Sequence, residues 1–177
     1  LWIDVLETVI NWKFLGLGLK VFHEIKYTSY TKRIPSEAVY FRPGVAFSTI
    51  GSGFSARAHM FVGSLDTTGC SVFPLDIASA VCSMNSTYAR NILESFNPTV
   101  HFTNGDVERL PFLGIAQSDE IFDNISSAFA EHEAGREPSV LFRSVVQSHW
   151  RASQKWAQAA IDRPSGAPLS AYQPVYD

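Results

Sequence analysis

The amino-acid sequence predicts an α+β domain with short, mixed strands and about three helices. The chain has 177 residues, and 46% of them are hydrophobic, which is enough to build a core. Apolar residues recur at helical spacing in its second half, whereas two-residue alternation is confined to short runs. Strands that come before and between the helices, without regular alternation, indicate an α+β rather than an α/β architecture.

The predicted strands lie mainly in the first third of the chain. The apolar residues 1–12 fit either a short helix or a buried strand, because their spacing does not decide between the two. Gly16 and Gly18 are expected to interrupt the pattern, and a basic loop is expected to follow at 26–35. Short strands are predicted at 39–41, 45–50 and 58–62.

Local signals mark the start of the first two of the three predicted helices. Asp76 is a good N-cap, and one apolar stripe runs from Ile77 to Ile92 before Pro98 ends the helix. A second helix begins near Ser118, with carboxylates in its first turn. The third covers about 145–161.

The segments between the helices are predicted from shorter signals. They are a strand near 100–102, a turn at 104–106 and a polar linker at 131–138. The sequence is therefore divided into an α+β domain at 1–135 and a C-terminal helix with an extended tail at 136–177, which is expected to pack on that domain. Phe102, Trp150 and Trp156 are expected in the core.

The sequence contains no self-sufficient active site. Asn97-Pro98 begins like the Asn-Pro-Pro-aromatic motif that binds a flipped base, but Thr99 and Val100 occupy its last two positions. The histidines lack zinc-site spacing, and no cofactor is expected in this chain. Cys70 and Cys82 form no disulfide or metal pattern, which is typical of a reducing, cytoplasmic protein. No apolar run is long enough to span a membrane, so no membrane partner is expected.

Positive charge is concentrated in one part of the sequence. The net charge of −3 argues against a free-standing nucleic-acid binder, but residues 11–57 carry seven basic and two acidic side chains, or +5, which leaves −8 elsewhere. This asymmetry favours one basic face, although an ordinary uneven surface is the alternative.

The same part of the chain combines basic and hydroxyl side chains with glycines, a composition suited to phosphate contacts. Arg42 and Arg57 could each contact guanine through two hydrogen bonds or only hold phosphate. An ordinary polar hairpin is the alternative. The predicted DNA-binding residues are Lys32, Arg33, Arg42, Ser48, Ser52, Arg57 and His59.

Five blocks of sequence, in this order, carry a family resemblance. They lie at 41–48 (FRPGVAFS), 53–57 (GFSAR), 71–74 (SVFP), 84–86 (MNS) and 97–111 (NPTVHFTNGDVERLP). The ordered set resembles the region downstream of the catalytic domain in BREX-type adenine-specific DNA methyltransferases, the PglX family. It is also similar to the related type IIG restriction-modification enzymes.

The resemblance implies a target-recognition-like fold and a role in reading DNA within an S-adenosylmethionine-dependent N6-adenine methyltransferase of phage defence. The cofactor loop and catalytic motif of that family would lie upstream of Leu1, so the chain is expected to be a fragment that is inactive alone. Its expected partners are double-stranded DNA, the upstream methyltransferase domain and other defence-complex subunits. The alternative is a protein-interaction module that docks the methyltransferase onto those subunits.

Overall fold

The computed structural model describes residues 2–3, 9–51, 53–65, 70–99 and 101–176. Six α-helices and a small antiparallel sheet make up this part of the chain, which confirms the predicted α+β class. The helices are α1 (Lys13–Tyr27), α2 (Ile77–Asn85), α3 (Thr87–Phe96), α4 (Asn104–Glu108), α5 (Ser118–Gly135) and α6 (Trp150–Ile161). The strands are β1 (Val45–Phe47), β2 (Ala56–Ala58) and β3 (Ser71–Val72).

The sheet has the order β2-β1-β3, with both pairs antiparallel. Val45 pairs with Ala58 and Phe47 with Ala56, and these four side chains enter the core. The predicted strands at 45–50 and 58–62 correspond to β1 and β2, although both are shorter and β2 lies two residues earlier. The predicted strand at 39–41 is wrong, because Glu37–Val39 form a 3-10 turn.

The core lies between the sheet and the helices. Helix α2 packs against β1 and β2 on one side and against α5 and α6 on the other, and seven of its nine residues are buried. Phe129 of α5 meets Trp150 of α6 edge-on at 5.0 Å between ring centroids. Phe102 and Trp150 are buried in this core, as predicted, and Trp156 is half-buried against it. The chain after α6 lies along that helix, where Trp156 Nε1 donates to the Ser170 carbonyl at 2.9 Å.

The single helix predicted from Asp76 to Asn97 is two helices. Asp76 caps α2 as predicted, because its side chain accepts from Ser79 N at 2.9 Å. Ser86 then adopts extended backbone angles and caps α3 by accepting from Ala89 N at 3.1 Å. The Ser86 side chain competes for backbone N–H groups and ends α2. The predicted apolar stripe ends there too, because Tyr88 is exposed and α3 buries Ala89 and Leu93 instead.

Helix α1 contradicts the expected interruption at Gly18 but not the one at Gly16. Its first residues Phe14, Leu15 and Gly16 have φ angles of 53°, 56° and 72°, after which regular helix continues to Tyr27. A Cβ on Gly16 would lie 2.8 Å from the Trp12 ring, so this position requires glycine for both space and conformation. The basic loop expected from residue 26 therefore begins after Tyr27.

Four further predictions differ from the structure. The expected turn at 104–106 is α4, where Thr103 and Asp106 form a reciprocal capping box. Helix α5 continues through most of the expected linker to Gly135, and α6 begins at Trp150 instead of residue 145. Of the strand expected near 100–102, Val100 lies outside the described residues and His101 forms only an isolated bridge with Ile50.

Across the described helices, none has the length and apolarity needed to span a bilayer.

Candidate nucleic-acid interface

The face of the sheet opposite the core is mostly polar, with the buried Ala46 at its centre. Because side chains alternate along a strand, the residues between the core-facing positions of β1 and β2 share this face. Ala46 lies directly opposite Arg57 and Ser71 across the two strand pairs. We call this surface the outer sheet face, formed by Ala46, Ser48, Ser55, Arg57, His59 and Ser71.

His59 connects β2 to β3 across this face. Its backbone N–H donates to the Gly44 carbonyl at 2.9 Å, and its Nε2 lies 3.1 Å from Ser71 Oγ. The ring also meets Phe73 edge-on at 6.2 Å between centroids. These contacts hold the imidazole beside the half-buried Arg57, two residues away on the same side of β2.

Ser48 closes the hairpin at the opposite end of the face. Its backbone N–H donates to the Ser55 carbonyl at 2.9 Å, and its hydroxyl oxygen accepts from Ser55 N at 2.9 Å. The Ser48 hydroxyl therefore has a structural role in the turn, besides any contact with a ligand. Ser52, which was predicted to bind DNA, lies outside the described residues.

Arg42 lies three residues before the central strand β1 and is exposed to solvent. The backbone then passes through Gly44, where a Cβ would lie 2.9 Å from both Phe73 Cδ1 and the Val72 carbonyl. Glycine is needed there because the chain runs directly against β3 and the ring that follows it. This close approach brings the segment after Arg42 to the His59 backbone.

Lys32 and Arg33 belong to a different part of the molecule. Both follow α1, and the Arg33 guanidinium stacks over the Tyr27 ring at 4.6 Å from its centroid. Within the described chain, α1 makes no close packing with another helix or strand. The predicted site therefore divides into two groups. Ser48, Arg57 and His59 lie on one face of the sheet with Arg42 just before β1, and Lys32 and Arg33 lie beside α1.

Ser71 completes the outer sheet face but is not among the DNA-binding residues predicted from the sequence. It lies in a strand of two residues, which is too short to show alternation. The only signal was its place at the start of the block at 71–74. Its contact with His59 depends on the pairing of β1 with β3, which joins segments about 25 residues apart.

Other candidate residues have structural roles. Asn97 Nδ2 donates to the His101 carbonyl at 2.8 Å and its Oδ1 accepts from Thr99 Oγ1 at 2.7 Å, so this amide organises a turn. Hydrogen bonds from Thr103 hold the pKa of Asp106 below its usual value.

The two cysteines and the acidic residues also form no reactive cluster. Burial raises the pKa of Cys82 to about 12, which keeps it a thiol, and neither Cys82 nor Cys70 forms a disulfide. No cluster of three or more potential metal ligands occurs among the residues described.

No protein-family model matches the chain, and no curated protein is significantly similar to it.

Proposed function

We propose that this chain is the DNA-contacting target-recognition region of a cytoplasmic, S-adenosylmethionine-dependent N6-adenine DNA methyltransferase of the BREX or type IIG kind. The observation that carries the proposal is the position of Arg57 on the outer sheet face, with His59 and Ser71 on one side and the Ser48–Ser55 pair on the other. The ordered sequence blocks supply the link to methyltransferases.

The outer sheet face has the chemistry and dimensions for this role. Strands can enter the major groove, and the β1–β2 hairpin, with β3 paired on its other side, is the element that would do so here. Ala46, directly opposite Arg57, is small, so β1 places no bulky side chain beside the half-buried guanidinium. Serine hydroxyls next to it suit phosphate contacts, and the exposed Arg42 adds attraction that reaches further through solvent.

The chemical step belongs to another domain in this proposal. A flipped adenine needs an amide and a carbonyl as acceptors and an aromatic ring to stack on. In this chain the Asn97 amide is used within its own turn, and Val100 stands where the aromatic residue would be. The upstream methyltransferase domain would supply those groups together with S-adenosylmethionine, while this chain holds the duplex.

The experiment measures binding of the chain to a fluorescently labelled duplex by anisotropy over a range of salt concentrations. Arg57→Ala is expected to weaken binding about 5- to 150-fold if the side chain contacts a base, which corresponds to about 1–3 kcal/mol. Arg42→Ala is expected to weaken binding to all duplexes and to reduce the slope of log affinity against log salt by about 1.

Arg151→Ala is the matched control, because Arg151 is exposed on α6 and remote in sequence from the sheet. Each variant is first checked for unchanged thermal unfolding. A wild-type chain that binds no duplex at low salt, or Arg57→Ala and Arg42→Ala variants that bind as well as the control, would refute the proposal.

A further inference from the structure

Helix α1 exposes large apolar side chains on one side. After Gly16 the helix is regular, so residues spaced three, four, seven and eight positions apart share a surface. The large side chains of this surface are between 47% and 81% exposed. We call it the α1 outer face, formed by Leu17, Gly18, Val21, Phe22 and Ile25.

The opposite side of α1 contacts other residues of the described chain. Gly16 packs under the Trp12 ring, and Lys20 forms an ion pair with Glu37. Trp12 in turn contacts Tyr40 at 5.4 Å between ring centroids. The described chain therefore contacts α1 through its polar and aromatic side, whereas the α1 outer face remains exposed to solvent. A contiguous apolar surface of this kind usually marks an interaction site.

Charge around the helix indicates the chemistry of its partner. Residues 13–33 contain five basic side chains and one acidic side chain, a net charge of +4, whereas the other residues of the chain total −7. Lys13 begins α1 and Lys26 lies in its last turn, both exposed. A complementary surface is therefore apolar in the middle and carries carboxylates at its edges.

A protein groove fits this pattern better than a lipid bilayer. An anionic bilayer faces a whole side of the molecule, so it would repel the acidic remainder of the chain while it attracts α1. A groove encloses only the helix and leaves the rest of the surface in solvent. The lack of close packing between α1 and other helices or strands of the described chain gives a groove access to the helix.

We propose that the α1 outer face docks into an apolar groove of another protein, with carboxylates along the rim of that groove. Val21, Phe22 and Ile25 are the anchors, because they lie three, four and seven positions after Gly18, the spacing that helix-in-groove complexes use. No atom lies within 4 Å of a Cβ added at Gly18, so a partner side chain fits against the helix there. The interaction is independent of the proposed DNA interface, which uses the outer sheet face.

The test titrates the full chain by calorimetry with two probes. Calcium-loaded calmodulin offers a methionine-rich groove that binds basic amphipathic helices, and vesicles of phosphatidylcholine and phosphatidylglycerol offer an anionic bilayer. We expect saturable binding to calmodulin, weakened at least about tenfold by Phe22→Glu and also weakened by added salt. Phe112→Glu is the matched control, because Phe112 is 61% exposed and lies outside α1.

Circular dichroism verifies that Phe22→Glu keeps its helix content, which an exposed position should allow. The proposal is overturned if calmodulin does not bind the chain, or if Phe22→Glu binds as well as Phe112→Glu. It is also overturned if the vesicles bind the chain as tightly as calmodulin does, because the occupant would then be a lipid surface.

Discussion

Replacing Asn85 with alanine is expected to cause a large loss of stability. Asn85 is buried at the end of α2, and β2 is an edge strand of the sheet. The Asn85 side chain accepts from Ala56 N at 2.9 Å and donates to the Ala56 carbonyl at 2.9 Å. It therefore pairs with β2 as a neighbouring strand would, and it also donates to the Val81 carbonyl at 3.1 Å.

The magnitude follows from the groups that lose their partner. Asn85→Ala leaves the N–H and the C=O of Ala56 unpaired at a residue with no exposed surface. Each such group costs about 1–3 kcal/mol, so the free energy of unfolding should fall by about 2–6 kcal/mol. For a chain of 177 residues, a loss of about 4 kcal/mol, the middle of this range, corresponds to a decrease in Tm of about 8–16 °C.

Urea unfolding followed by tryptophan fluorescence measures this change. Asn91→Ala is the control, because Asn91 is exposed on α3 and its replacement should change stability by about 0.5 kcal/mol or less. A loss below about 1 kcal/mol for Asn85→Ala would show that the amide is not what joins α2 to β2.

Two further predictions concern ionisation and reactivity. Burial alone would raise the pKa of Glu133, but hydrogen bonds from Arg136 and Ser139 outweigh it and hold the pKa below 4.5. The ionised carboxylate therefore stabilises the fold above pH 4.5, and this stabilisation is lost as the pH falls. The urea midpoint of Glu133→Gln should therefore depend less on pH between about 5 and 3 than that of the wild type, and equal slopes would contradict the argument. A thiol reagent should label Cys70 in the folded protein and Cys82 only after unfolding, because burial raises the pKa of the Cys82 thiol to about 12. Rapid labelling of both thiols in the folded protein would contradict this prediction.

The sequence predicted those parts of the fold that have local signals. Asp76 and the acidic first turn after Ser118 mark helix starts that the structure confirms, because capping depends on a few adjacent residues. The break at Ser86 was missed, since a serine fits either a helix or a cap. Thr103 and Asp106 carried a capping-box signal, but Asn104-Gly105 was interpreted as a turn.

The candidate site was predictable only where it depends on one hairpin. Alternation along β1 and β2 is enough to place Ser48, Arg57 and His59 on one side of the chain. The separation of Lys32 and Arg33 from them depends on α1, which the sequence did not predict because two glycines favoured a loop. Pairing between distant segments, as for Ser71, leaves no periodic signal in a strand of two residues.

Three of the sequence blocks that carry the resemblance meet at one cavity. Val72, Met84 and Leu110 come from three different blocks and line one apolar cavity of about 300 Å³. Next to it, Asn85 holds β2, and Ser83 Oγ accepts from Leu113 N at 3.0 Å. Val72, Met84 and Leu110 therefore lie at this cavity and not on the outer sheet face. Under the proposed function, the Asn85 contacts preserve the orientation in which β2 presents Arg57 to DNA. Asn85→Ala should therefore weaken duplex binding, although the duplex does not touch Asn85.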